Sequence, residues 1–265
     1  MEDRGDLQSK NNAFFDERSH QWDKPEVVDT ANQVALAIRS MLTLEPSKTE
    51  LLDFGCGTGN VTVALSQYIK GSLGIDASEG MVAQFNKKCS DKPGFSALAL
   101  DITTDAGLQR LKDSNRAFDI IQSTLVFHHI QDLKLVVTRL SQFLKSEGVL
   151  VVADLEEKDA TSFHSDHQVN ADLVAHKHGF TETDMRNLAA ASSMELVTFK
   201  AGAARMTKTM HAEHQHGGGH EHGHHHHHGA SQEHGEHHHH EPASTSQPET
   251  RQFSMFLAVM RVKRL

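Results

Sequence analysis

The sequence predicts a doubly wound α/β fold: a seven-stranded, mostly parallel sheet with helices on both faces and a disordered His-rich insertion between its last two strands. Three observations predict it. Short apolar runs alternate with helical patterns along the first 155 residues, the first run ends in a glycine-rich turn, LLDFGCGTGN at 51–60, and a histidine tract interrupts what otherwise reads as a final strand pair.

The strands come in order as ELLDF at 50–54, SLGID at 72–76, FSALALD at 95–101, FDIIQST at 118–124 and GVLVVADL at 148–155. Their continuous apolar character, without strict alternation, predicts strands buried on both faces. Between them, Val61, Ala64, Leu65 and Tyr68 predict one helix, Met81, Val82 and Phe85 a second, and Leu133, Val136, Val137, Leu140 and Leu144 a third. Such alternation requires right-handed crossovers and therefore a parallel sheet. Upstream, Pro25 opens a helix whose stripe is Val27, Ala31, Val34 and Ile38, predicted to pack on the sheet. ELVTFKAGAARM at 195–206 and FSMFLAVMRV at 253–262 supply the last two strands.

Between those two the composition changes. Residues 209–250 contain six glutamates and no Lys or Arg, and 15 of the 22 histidines fall within 211–240. Such a segment has too little apolar surface for a core. The expected organisation is a flexible N-terminus at 1–12, a domain at 13–208 and 252–265, and a low-complexity loop at 209–251. With 26 Lys plus Arg against 35 Asp plus Glu, a nucleic-acid partner is not expected. Only Cys56 and Cys89 occur, which predicts no disulfide framework, and no apolar run reaches membrane-spanning length. The expectation is a soluble, cytoplasmic protein, with the nucleus left open.

A first strand-to-helix turn in a doubly wound sheet lies where ligands bind. Gly55, Gly57 and Gly59 allow close backbone approach there, and the helix from Asn60 offers unpaired N–H donors. Asp76, 23 residues after Asp53, is placed to accept hydrogen bonds from ribose hydroxyls. The dinucleotide fingerprint fails because Asn60 stands where its last glycine belongs, and the Gly-Lys-Ser/Thr of a P-loop is absent. Asp53 before the turn suits a ligand carrying an ammonium group better than one carrying phosphates, which points to S-adenosyl-L-methionine.

LLDFGCGTGN, LGIDASEGM at 73–81, ALALDI at 97–102 and FDIIQSTLVFHHIQD at 118–132 resemble the four successive motifs of the class I S-adenosylmethionine-dependent methyltransferases, in the small methyltransferase-domain group related to the ubiquinone and menaquinone methyltransferases. FFDERSHQWDKPE at 14–26 and SFHSDHQ…HKHGFTETDM at 162–185 are similar to bacterial and fungal members of unassigned substrate. The resemblance covers residues 13–208 and 252–263, and the His-rich loop departs from it. It implies a Rossmann-like methyltransferase fold in which Asp53, Gly55, Gly57 and Gly59 hold the methionine moiety, Asp76 the ribose, Asp101 the adenine amine, and Met81 and Ile102 the ring, with Cys56 and Ala77 also among the cofactor-binding residues. Ser123 or Thr124 would lie near the methionyl part.

Each residue also has a plainer reading. Asp76 could cap the helix beginning near Ser78, Asp101 could cap or solvate a loop, Met81 could be core, and Cys56 could be a small turn residue. A general base is needed only if the acceptor arrives protonated, and the candidates near the expected mouth are His128, His129, Asp154, His164 and His178. One of the adjacent histidines is equally suited to packing or capping. Phe14, Phe15 and Trp22 form either a lid or an anchor for the first helix.

Two functions are thereby expected. The first is methyl transfer to a small-molecule acceptor, a protein acceptor being the variant within the same chemistry. The second is a metal-binding or regulatory protein on a methyltransferase fold, with the histidine loop as its functional element. No metal is required by the first. The runs His224, His225, His226, His227, His228 and His237, His238, His239, His240 suit loose divalent metal binding.

Overall fold

The computed structural model describes residues 4–164, 173–210 and 249–263. In chain order the elements are α1 (Arg4–Arg18), α2 (Pro25–Met41), β1 (Glu50–Phe54), α3 (Asn60–Leu65), β2 (Gly71–Asp76), α4 (Glu79–Lys88), β3 (Phe95–Ala99), α5 (Asp105–Lys112), β4 (Phe118–Thr124), α6 (Leu133–Ser141), β5 (Leu144–Leu155), α7 (Glu157–His164), α8 (Glu182–Ala191), β6 (Met194–Met210) and β7 (Glu249–Val262).

The sheet runs β3-β2-β1-β4-β5-β7-β6. Strands β1 to β5 pair in parallel, and β7 returns antiparallel against β5, with Val152 opposite Ala258. Strand order reverses at β1, which sits between β2 and β4, so the turn after β1 opens at the crevice between crossovers of opposite direction. The seven-stranded, mostly parallel sheet is as expected. The residues between its last two strands, 211–248, lie outside the described residues, and the histidine runs at 224–228 and 237–240 lie there with them.

Alternation along each strand feeds two cores. Leu52, Ile121, Leu150, Val152, Phe256 and Ala258 face one, covered by Leu111 of α5, Val136, Val137 and Leu140 of α6, and Met185 of α8. Leu51, Ile120, Val151, Ala153 and Leu257 face the other, covered by Ala31, Val34 and Ile38 of α2 and Val61 and Leu65 of α3. Both faces are therefore dry, which is why the strands read as unbroken apolar runs.

Several expectations need correction. Leu144 begins β5; α6 stops at Ser141, because the following residues must turn to enter the sheet. The helix expected through Tyr68 ends at Leu65 and tightens into a 3₁₀ turn at Ser66–Tyr68. Residues 4–12, read as flexible, are the first part of α1. That helix has no apolar stripe, so periodicity is silent on it. It is held by tertiary contacts: Asp16 Oδ1 accepts from the Ser78 hydroxyl at 2.6 Å and from the Gly80 N–H at 2.9 Å, which docks α1 against the start of α4.

Candidate functional site

A cavity with room for about 230 Å³ opens at the carboxyl ends of β1, β2 and β4. Its floor is the β1–α3 turn. Gly55, Gly57 and Gly59 all have positive φ, but their surroundings differ. A Cβ on Gly55 would strike Val126 and one on Gly59 would strike the Phe85 ring, so those two are glycines for packing. A Cβ on Gly57, at φ +50, would meet nothing within 4 Å. Gly57 lines the cavity and Gly59 does not. The open space above Gly57 is a cradle that fits a ligand lying against the backbone.

Two carboxylates support that floor. Asp53 is 1% exposed; its Oδ2 accepts from the Thr62 hydroxyl at 2.6 Å and its Oδ1 from the Gln122 side-chain amide. Burial pushes its pKa up to about 7 against the pull of those two hydrogen bonds, and the nearby Asp76 adds to the rise. Asp76 accepts from the Gly57 N–H and the Ser78 N–H, both at 2.9 Å, and burial likewise raises its pKa. The cap of α4 is Ser78, whose hydroxyl accepts from the Met81 N–H, so Asp76 is released from the capping role. It braces the glycine turn from β2 instead.

Asp101 also reaches the cavity; its Oδ1 accepts from the N–H and hydroxyl of Thr103, and Thr104 caps α5. Ala77, Met81 and Ile102 line the same wall, the last two buried. Cys56 lines it too, but burial drives its thiol pKa far up and makes it an inert turn residue.

Other expected residues are not brought there. Pleating turns Ser123 away: its neighbours Gln122 and Thr124 line the cavity, while the Ser123 hydroxyl is buried without a hydrogen-bond partner. His128 and Asp154 form a buried pair, Nδ1 to Oδ1 at 2.7 Å, away from the cavity. Burial alone would raise the Asp154 pKa, but the His128 charge and hydrogen bonds from His128 and the Leu155 N–H hold it below the usual value. The backbone carbonyl of His128 accepts from the N–H groups of Ala175 and His176, so the pair anchors the segment after residue 173. His178 is exposed, its Nδ1 3.3 Å from the Thr161 hydroxyl, and it too lies outside the cavity lining. His164 ends α7, and its side chain lies outside the described residues.

Of the candidate bases whose side chains are described, His129 lines the cavity. Its Nδ1 lies 2.8 Å from the Leu173 carbonyl, which can only accept. Nδ1 is therefore the donor in that bond. The ring is held edge-on by Phe15 at 5.5 Å, and Phe15 in turn meets Trp22 at 5.3 Å.

Phe15 and Trp22, expected as a lid or an anchor, line the cavity; sequence reading missed Gln8, Asn11 and Asn12 of α1 and Met206 and Thr207 of β6, which line it too. Leu125, at φ +57 directly after β4, is a left-handed non-glycine residue in the lining. Nothing local in the sequence marks it. Asp23 accepts from the Thr58 hydroxyl and pairs with Lys88 at 2.8 Å, tying the α1–α2 connection to the glycine turn and α4.

Among the described residues, no group of three or more potential metal ligands is gathered, and no helix is long and apolar enough to cross a membrane. A family profile for the methyltransferase domain matches residues 52–152, from the glycine turn through most of β5. An uncharacterized methyltransferase of Schizosaccharomyces pombe is 34% identical over 151 residues, covering 54% of this chain and 52% of its own. The ubiquinone biosynthesis O-methyltransferase of Bartonella quintana is 29% identical over 140 residues, covering 51% and 54%. The chain thus spans about half the length of the curated relatives it matches. In fold, the crystal structure of a SAM-dependent methyltransferase from Anabaena variabilis aligns over 97% of this chain and 96% of that one, with a TM-score of 0.63 at 16% identity. The domain match and the curated relatives make this chain similar to the class I S-adenosylmethionine-dependent methyltransferases, and it shares their fold.

Proposed function

We propose that the chain transfers the methyl group of S-adenosylmethionine to a small-molecule acceptor. One observation carries this reading: a single cavity is lined both by the open face of Gly57 and by His129. In it, Asp53, Gly55, Cys56 and Gly57 would hold the methionine end, Asp76 the ribose hydroxyls and Asp101 the adenine amine, with Ala77, Met81 and Ile102 against the ring. Thr124 takes the place expected for Ser123. When bound, the cofactor supplies a methyl carbon already made electrophilic by the sulfonium charge.

The chain's own work is then positioning, exclusion of water and proton removal. His129 Nε2 takes the proton of an acceptor hydroxyl or amine as that atom becomes nucleophilic, and the Leu173 carbonyl steadies the imidazolium through Nδ1–H. Phe15 and Trp22 close the same space to water. His128 and Asp154 act as structural anchors beneath it.

We further infer that residues 13–208 and 252–265 form the methyltransferase domain and 209–251 an insertion, a division supported by where the internal contacts part, at Lys208 and Gln252. Both cysteines are free and buried, which supports residence in a reducing compartment such as the cytoplasm. The test is calorimetry with S-adenosylhomocysteine alongside transfer from labelled S-adenosylmethionine. His129→Ala should bind S-adenosylhomocysteine as wild type and lose about a hundredfold in turnover. Wild-type turnover in that variant removes His129 as the base, and saturable binding of NAD at this site overturns the reading as a whole.

A further inference from the structure

Helix α1 meets the cavity with a polar face. Ser9, Lys10, Ala13 and Glu17 are exposed, while Gln8, Asn12 and Phe15, at helical spacings of four and three, are half-buried and line the cavity, so theirs is the side of α1 turned inward. An inward side normally carries apolar residues, and two of these three are carboxamides. The two are joined: Gln8 Nε2 donates to Asn12 Oδ1 at 2.9 Å. That bond uses one donor and one acceptor, and leaves over Gln8 Oε1 and the hydrogens of Asn12 Nδ2. Neither has a partner among the described residues, and neither is sealed from contact as both amide atoms of the neighbouring Asn11 are. Turning both amides over exchanges their roles and leaves the same pair, so one acceptor and one donor remain on offer either way round.

Their place along α1 separates them from the cofactor's residues. Asp16 fastens the helix to the start of α4, just after Asp76. Asn12 and Gln8 precede Asp16 by one and two turns, about 6 and 12 Å along the axis from that anchor. Phe15 stands between, edge-on to His129 at 5.5 Å and to Trp22 at 5.3 Å. With Val27 and Ile130 these rings give the cavity flat apolar walls, which favour a planar body. We propose that Gln8 and Asn12 recognise the methyl acceptor, and that the acceptor is a ring compound bearing an amide edge, a carboxamide or lactam whose N–H donates to Gln8 Oε1 and whose C=O accepts from Asn12 Nδ2. This rests on the methyltransferase reading and deepens it. An amide edge carries a donor and an acceptor in one plane, the complement of what the joined pair leaves over, much as Asn and Gln side chains read the edge of adenine. A ketone or a carboxylate can only accept, and would set its oxygen against Gln8 Oε1. That mismatch is how a polar site discriminates between compounds of one shape.

The full chain, saturated with S-adenosylhomocysteine, is titrated by ligand-observed NMR with benzamide and with acetophenone, which has a methyl group where benzamide has its NH2. Benzamide should bind saturably and about fivefold or more tighter than acetophenone. Gln8→Leu and Asn12→Leu should each bring that ratio to within about twofold of one, and keep the S-adenosylhomocysteine dissociation constant within about twofold of wild type. Losing one side-chain pair from a helix surface costs little, so both variants should fold, with unchanged circular dichroism. Three results would overturn the inference: no saturable binding of benzamide, a ratio near one in the wild type or unaltered in both variants, or loss of S-adenosylhomocysteine affinity in the variants, which would make the pair part of the cofactor site. Failure of the wild-type chain to bind S-adenosylhomocysteine at all would strike the methyltransferase reading itself, and the inference with it, and is read separately by calorimetry.

Discussion

The floor and the cover of the cavity are built on opposite principles. The floor, at the ends of β1 and β2, is backbone: a glycine turn, with Asp76 bonded to the Gly57 N–H and Asp53 sealed under it by Thr62 and Gln122. The cover, from α1, the Phe127–His129 turn and the segment after residue 173, is side chains from distant parts of the sequence, joined by ring contacts and single hydrogen bonds. A floor of backbone tolerates almost no substitution at the ligand face, and its glycines are fixed from below by Val126, Phe85 and Asp76. A cover of side chains can change its specificity one residue at a time.

The largest effect expected from breaking this contrast lies under the cover. His128→Leu removes the partner of a fully buried Asp154 carboxylate, and should cost about 3–5 kcal/mol of stability. Chemical denaturation would detect it, and a loss below about 1 kcal/mol would mean that the pair does not anchor the cover.

Next comes the floor itself. Gly57→Val fills the open space and strains a backbone at φ +50. It should abolish measurable S-adenosylhomocysteine binding, a loss above about 3 kcal/mol in calorimetry, while circular dichroism shows a folded chain. Retained affinity would move the ligand off the floor.

The smallest effect sharpens the electrostatics of the floor. Asp53 has a folded pKa near 7, raised above its unfolded value of 3.8. The folded state therefore holds the proton more tightly, so the stability linked to this group is fully present below about pH 4 and is lost as pH rises toward and through about 7. Asp53→Asn should flatten that fall, so that its stability relative to wild type rises between pH 4 and pH 8. Parallel pH profiles for the two proteins would show that the carboxyl is not desolvated as the structure indicates.

The same contrast decides what could be read from the sequence. Gly57, Asp53, Asp76 and Asp101 belong to strand ends and turns whose spacing is fixed by βαβ geometry, so their positions along the chain already imply their meeting. Ser123 and Thr124 were indistinguishable until the pleat of β4 turned one of them outward. His128 and His129 are adjacent in sequence, and only the depth of Asp154 and the reach of the Leu173 carbonyl separate an anchor from a cavity residue. Gln8 and Asn12 were beyond reach for a physical reason: a helix whose inner face is polar carries no hydrophobic period, and α1 looks like a solvated tail until its contacts are known.

Asp16 gives α1 a second role. Through Ser78 and Gly80 this 15-residue helix braces the loop that follows β2, while one turn earlier it presents Asn12 to the cavity. Any displacement of α1 would therefore also break the two hydrogen bonds that hold the start of α4, so the wall formed by α1 and the loop after β2 are coupled through Asp16.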